Sequence, residues 1–189
     1  MGLVLVGAGG HARALVEALA ARGLTVSAYV DRAECVWLPG LRRYESDDAS
    51  KDHDADGFVL GMGAVNPEGL ARRLDLFRRY AARGWRAPAV VHPAAVLSAS
   101  ATLGEGSQTL AGAVVQPGAA VGAAVIVNTG AIVEHDSTIG VGAHVAPGAI
   151  VLGGVRIGAC AMIGAGAVVL QGASVPDRTL VPASTRYPA

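Results

Sequence analysis

The stretch GAIVEHDSTIG, residues 130 to 140, sets Glu134, His135 and Asp136 side by side in a chain that is otherwise almost uncharged around it. A histidine next to a carboxylate is the smallest apparatus for general-base chemistry. The carboxylate fixes the imidazole tautomer and stabilises the imidazolium once a proton has been taken. Two acids flank His135, and the sequence alone leaves open which one orients it. Asn128 precedes it by seven residues and His144 follows it by nine. An exposed corner could also carry such residues for solubility alone, so what positions them decides their meaning.

From residue 95 the chain divides into hexads without insertion: AVLSAS ATLGEG SQTLAG AVVQPG AAVGAA VIVNTG AIVEHD STIGVG AHVAPG AIVLGG VRIGAC AMIGAG AVVLQG ASVPDR TLVPAS, ending at 184. The third position is Leu, Val or Ile in fourteen of the fifteen, with Thr109 the exception. The first position is mostly Ala or Ser, and the last is often Gly. One aliphatic among small neighbours describes one flat side of a triangular prism, and three hexads make a coil. The run therefore predicts a parallel β-helix of five coils with the third-position residues stacked inside. Only Glu105, Glu134, Asp136, Arg156, Asp177 and Arg178 are charged within those hexads. The late-hexad trio 134–136 then faces outward or lies at a corner. Half a coil separates His135 from His144, which puts them on different faces of one prism. Packing of identical prisms in a ring would bring His135 of one towards His144 of the next.

Residues 1–92 follow a different pattern. Apolar strands are expected at 3–7, 25–30, 57–63 and, leading out, 87–93 (APAVVHP). Helices are expected at 11–22 and 67–84, the second with Leu70, Leu74, Phe77 and Ala81 on one face. This order implies parallel pairing with right-handed crossovers. Residues 33–56 read as loop with a short strand. Arginines 72, 73, 78, 79 and 83 read as a solvated helix face rather than a phosphate site. The loop GAGGHA (7–12) joins the first strand to the first helix. Gly7, Gly9 and Ala12 fit G-x-G-x-x-A, and Asp31 ends the second strand. Glycines let backbone approach a phosphate, the helix N-terminus favours negative charge, and the acid can accept hydrogen bonds from a ribose or base. A tight turn without ligand is the plainer alternative. The unit is too small for a full dinucleotide fold, so a mononucleotide, or a sugar linked to one, fits better.

Composition narrows the field. The net formal charge is zero, which argues against a protein devoted to gripping nucleic acid or an anionic membrane. Apolar residues reach 52% with aromatics at only 4%, as a repeated small-residue structure requires. Cys35 and Cys160 are far apart and in no C-x-x-C pair, so neither a disulfide framework nor a structural zinc site is expected. A carbonic-anhydrase-like zinc site on a β-helix would need three histidines, two of them five apart, and no such pair exists; His53 and His92 lie outside the repeats. His92 reads as a hinge residue bonding locally. The start MGLVLVGAGG lacks a basic n-region, and its apolar run is too short to span a membrane. A soluble, cytoplasmic protein is the expectation.

The segments VGAGGHARALVEAL, VVHPAAVLSASATLGEG and IVNTGAIVEHDSTIGVGAHVAPGA together resemble the hexapeptide-repeat nucleotide-sugar acetyltransferases. These include bacterial UDP-4-amino-sugar N-acetyltransferases and sialic acid O-acetyltransferases, and the likeness covers nearly the whole chain. It implies an α/β Rossmann-like domain over 1–92 that binds the nucleotide sugar, and a left-handed parallel β-helix over 93–189 that binds acetyl-CoA between subunits of a homotrimer. Gly7, Gly9, Gly10, His11, Asp31 and Gly63 match nucleotide-sugar contacts. His135 matches the general base and Asp136 its acidic partner. Asn128 and His144 match positions lining the transfer site, with His144, Gly153 and Ala165 as acetyl-CoA contacts. His144, or a backbone N–H such as that of Gly153, would stabilise the oxyanion. No metal is implied. After GMG (61–63) the family commonly continues with Asn or Asp-Asn, where this chain has AVNP, and the C-terminal LVPASTRYPA is shorter than usual. Two rivals accompany the N-acetyl reading: acetylation of a hydroxyl, on sialic acid or another sugar, and a non-catalytic trimeric scaffold or sugar-binding module.

Overall fold

A computed structural model describes residues 2–50, 55 and 57–188; His53 lies outside the described residues. The N-terminal unit is a four-stranded parallel sheet flanked by helices. Its strands are β1 (Gly2–Val6), β2 (Thr25–Val30), β3 (Arg42–Tyr44) and β4 (Gly57–Leu60), in the order β3-β2-β1-β4. Helix α1 (Gly10–Ala20) buries Ala12, Leu15, Ala18 and Leu19 at the three- and four-residue spacing of one helix face. Helix α2 (Pro67–Ala81) starts where Asn66 accepts the Gly69 N–H at 2.8 Å, with Pro67 in the first turn.

From residue 90 onward every strand is two residues long, and three parallel sheets of five, six and six such strands enclose one core. Ile126 pairs with His144 and His144 with Met162, a step of eighteen residues. This arrangement fits the expected left-handed β-helix. Third-position aliphatics from Val115 to Val181 form the buried interior. Sixth positions turn the corner in the left-handed region, mostly as glycine but also as Asp136 at φ +59°. Aspartate is one of the few non-glycine residues that enter this region readily.

Two expectations are corrected. The strand expected at 87–93 as the last of the N-terminal unit is instead the first rung of the prism: Val90–Val91 pairs with Gln108–Thr109. A bridge from Gly57 to Arg86, just before this segment, links the chain to the upper sheet, and Val90 is buried in one cluster with Leu3 and Leu5. The second concerns the arginines. Arg72, Arg78 and Arg79 are exposed, but Arg73 is fully buried. It sits three residues after Leu70 and four before Phe77, on the helix face that packs against the prism. Its Nε donates to the Met62 carbonyl at 2.9 Å and Nη1 to that of Ala124, while Nη2 has no partner among the described residues. Burial lowers its pKa to about 10, still high enough to keep the charge.

Thr109, the one break in the aliphatic ladder, points into the prism with its hydroxyl buried and unpartnered among the described residues. A buried hydroxyl without a partner costs about 1–3 kcal/mol. Thr109→Val keeps the shape and removes the orphan, so it should raise stability by about 1–2 kcal/mol in urea unfolding. A destabilised variant would show that the hydroxyl is satisfied.

Candidate functional site

His135 and Asp136 close the side formed by Ile132–Val133 and lie at its outer corner, with side chains 56% and 75% exposed. The left-handed backbone at Asp136 turns its carboxylate back onto its neighbour. His135 Nδ1 donates to Asp136 Oδ2 at 2.9 Å, which leaves Nε2 with a free lone pair. Asp136, not Glu134, is therefore the acid that orients the ring. The eighteen-residue step places a glycine against each member. A methyl group at Gly118 would lie 2.6 Å from Asp136 Oδ1, and one at Gly153 would lie 2.6 Å from His135 Nε2. The Gly153 N–H makes no hydrogen bond among the described residues. A ring nitrogen with a lone pair thus stands against a buried glycine whose N–H has no partner among the described residues.

His144 occupies a different side, on the strand His144–Val145 beneath the N-terminal unit, and is 6% exposed. Its Nδ1 donates to the Ala64 carbonyl at 3.0 Å, and its Nε2 accepts from Asn128 Nδ2 at 3.0 Å. Asn128 Oδ1 in turn accepts the Thr129 N–H at 2.8 Å. Burial pushes the His144 pKa down to about 4; the bond to Ala64 opposes this, and His11 and Arg73 reinforce it. A neutral imidazole has one N–H, and Ala64 takes it, so His144 has no donor to offer an oxyanion. Its place is to hold Asn128.

His144 and Asn128 line a cavity of about 470 Å³ between the N-terminal unit and the prism, together with His11, Gly63 and Val65. The six residues matched to nucleotide-sugar contacts do not share one cavity. Gly9, Gly10 and Asp31 line a second, of about 660 Å³, with Arg13 and Trp37. Gly7 lines a third with Asp31 and Met62. Asp31 ties the glycine loop together: Oδ2 accepts the Ala8 N–H at 2.8 Å and Oδ1 that of Ala33 at 3.1 Å. The N-terminus of α1 carries no side-chain cap, which leaves its backbone donors facing this region. Ala165 is exposed, at the corner two coils above Thr129, away from Gly153.

Sequence reading missed two members of the seam between the units: Arg73, and Gln108, whose polar side chain in SQTLAG was a visible anomaly. His92 accepts the Ala94 N–H at 3.0 Å, the local bond expected of it. Among the described residues no group of His, Cys, Asp and Glu is gathered to hold a metal ion, and no helix is long and apolar enough to cross a membrane.

No protein-family model and no curated protein sequence matches the chain. Solved structures do. PerB from Caulobacter crescentus, in complex with CoA and GDP-perosamine, aligns at a TM-score of 0.90 and 33% identity, over 98% of this chain and 88% of that one. The acetyltransferase domain of PglB from Neisseria gonorrhoeae, in complex with acetyl coenzyme A, aligns at 0.87 and 32%, over 97% and 88%. WeeI from Acinetobacter baumannii, at 20% identity and a TM-score of 0.56 over 98% and 96%, shares the fold.

His144, buried, and His11, half-buried, set a pH dependence. His11 and His144 both have folded-state pKa values below the ordinary one, so between pH 6.5 and about 4 the unfolded chain binds more protons. Stability should fall as pH drops through that window, by about 3 kcal/mol from His144 alone, and level off below it. Urea unfolding at successive pH values measures this, with His144→Asn as control. A wild-type curve that matches the variant's would refute a neutral buried His144.

Proposed function

The chain belongs to the hexapeptide-repeat sugar N-acetyltransferases, and on that premise we propose that it moves an acetyl group from acetyl-CoA to the amino group of a nucleotide-linked amino sugar. The observation that carries this reading is the oriented His135, whose Nε2 approaches Gly153 one coil on, a buried glycine with an unpartnered N–H among the described residues. In the proposed reaction the sugar amine attacks the thioester carbonyl. A C–N bond forms, the carbonyl oxygen becomes an oxyanion held by the Gly153 N–H, and His135 takes the proton from the nitrogen. Collapse breaks the C–S bond, and the proton returns to the departing thiolate. Asp136 stabilises the imidazolium in between. His144 and Asn128 line the acceptor side. Neither Cys35 nor Cys160 adjoins the pair, so transfer is direct.

The N-terminal unit is taken as Rossmann-like, since its β3-β2-β1-β4 order matches the first half of that fold and a glycine loop leads into α1. We assign the N-terminal unit to nucleotide-sugar binding and the prism to acetyl-CoA binding and catalysis, with the expected boundary at 92/93 moved to before Val90, the first rung, and with Gly153, His144 and Ala165 near the cosubstrate. His135 and Gly153 lie on one corner of the prism, whereas Asn128, His144 and Ala165 lie around another. A homotrimer would bring the corner of one copy to the face of the next and complete the site. The Caulobacter crescentus relative is a perosamine N-acetyltransferase bound to GDP-perosamine, which favours an amine over a hydroxyl acceptor. A cytoplasmic location follows from the cosubstrate.

The test is CoA thiol release from acetyl-CoA with GDP-, UDP- and TDP-linked 3- and 4-amino sugars, with free sialic acid included. Saturable release with an amino sugar is expected; release with sialic acid alone would replace the proposal with O-acetylation. His135→Ala should lower kcat by about 10²-fold, the low end for a lost general base because an amine needs less help than a hydroxyl. Wild-type turnover in that variant would remove His135 from its role. Gly153→Ala drives a methyl into the His135 ring and should lower kcat by roughly tenfold or more while the fold, read by circular dichroism, is kept.

A further inference from the structure

Gln108 lies in the second position of its hexad, facing out of the prism, yet it is only 1% exposed because the N-terminal unit covers it. Its Nε2 donates to the Leu60 carbonyl at 2.8 Å, at the end of β4. That bond fixes the amide, since the reverse orientation would set two oxygens against each other. Oε1 then faces His11 Nε2 at 2.7 Å. An amide oxygen only accepts, so the His11 proton must be on Nε2. A neutral imidazole has one such proton, and Nδ1 is left with a lone pair. No described residue bonds to Nδ1, and the ring lines the same cavity as Asn128 and His144. Gly63 borders this edge: a methyl there would lie 3.7 Å from Nδ1.

We infer that Gln108 is a positioning residue that locks His11 in one tautomer, so that Nδ1 accepts a hydrogen bond from a donor group on the sugar of the nucleotide sugar. The inference rests on the proposed acetyl transfer for its ligand. The glycine-loop match assigns His11 to the nucleotide, and a diphosphate is the anionic part it would meet there. A diphosphate oxygen is an acceptor, and against Nδ1 it would set lone pair to lone pair. A sugar hydroxyl or amine is the complementary partner. His11 would have to become cationic to serve a phosphate. Burial opposes that first, and the charge of Arg73 from α2 opposes it too, with only the Gln108 bond acting the other way. His144, facing the same cavity from the prism, is itself held neutral.

Nitrogen-15 NMR of histidine-labelled full-length protein tests this at pH 7. The free protein should show His11 as the Nε2–H tautomer. GDP-perosamine, with CoA present, should shift Nδ1 in the direction of an accepted hydrogen bond without protonating it, whereas GDP alone should leave Nδ1 unchanged. Gln108→Glu puts a carboxylate against Nε2 and should make His11 doubly protonated. The KM for the amino-sugar substrate should then rise about tenfold, the worth of one good hydrogen bond, with the KM for acetyl-CoA unchanged. Raising the pH should recover it. A proton on Nδ1 in the free protein, protonation on binding, or an equal response to GDP alone would overturn the inference. If Gln108→Glu does not fold, the wild-type spectra decide. If no amino sugar is acetylated although His11 shows the Nε2–H tautomer, the acetyl-transfer reading fails while the lock stands.

Discussion

Every residue of the prism sits directly over the residue eighteen positions earlier, because parallel two-residue strands stack in register and leave no room for slippage. This constraint ties the choice of residue at one corner to those above and below it. Asp136 can turn its carboxylate back to His135 only because Gly118 has no side chain to occupy that volume. The Nε2 end of the His135 ring comes close against the next coil because Gly153 likewise has none. The same corner needs a left-handed residue at its sixth position, and aspartate meets that requirement while supplying the carboxylate. Geometry needed for the turn and geometry needed for a base thus coincide in one residue.

The second constraint is the seam between the two units. Arg73 holds the carbonyls of Met62 and Ala124, Gln108 that of Leu60, and His144 that of Ala64. Residues 60–64 are therefore pinned through three of their carbonyls. Each bond contributes only about 1 kcal/mol net, but a shifted docking would leave several buried groups unpaired, at about 1–3 kcal/mol each. The seam therefore specifies one arrangement more than it adds stability. The cavity formed by His11, Gly63, Asn128 and His144 inherits its shape from that arrangement.

What was legible in the sequence was what repeats or lies close in the chain. The hexads announced the prism and its inward third positions, and the adjacency of His135 and Asp136 announced their contact. Val90–Val91 was misplaced because APAVVHP precedes the clear hexads and two apolar residues look alike in either sheet. Arg73 was misread because charge outweighed spacing, although positions 70, 73, 74 and 77 trace one helix face. Asp31 also holds the loop N–H groups of Ala8 and Ala33, and the bond to Ala8, 23 residues away, is one that no motif displays. The pairing of His11 with Gln108 spans 97 residues and joins two units with different periodicities. Only the folded seam brings them together.

The three histidines around the proposed chemistry divide according to exposure. His135 is half open to water and backed by a carboxylate. His11 and His144 are shielded, share the influence of one buried guanidinium, and have ring nitrogens committed to Gln108, Ala64 and Asn128. For them a change of charge is costly, so they act through fixed hydrogen-bond direction. A charged neighbour beside a substrate amine would favour the free base but would repel its developing ammonium in the transition state. A neutral, oriented wall avoids that repulsion, and the proposed proton transfer rests with His135.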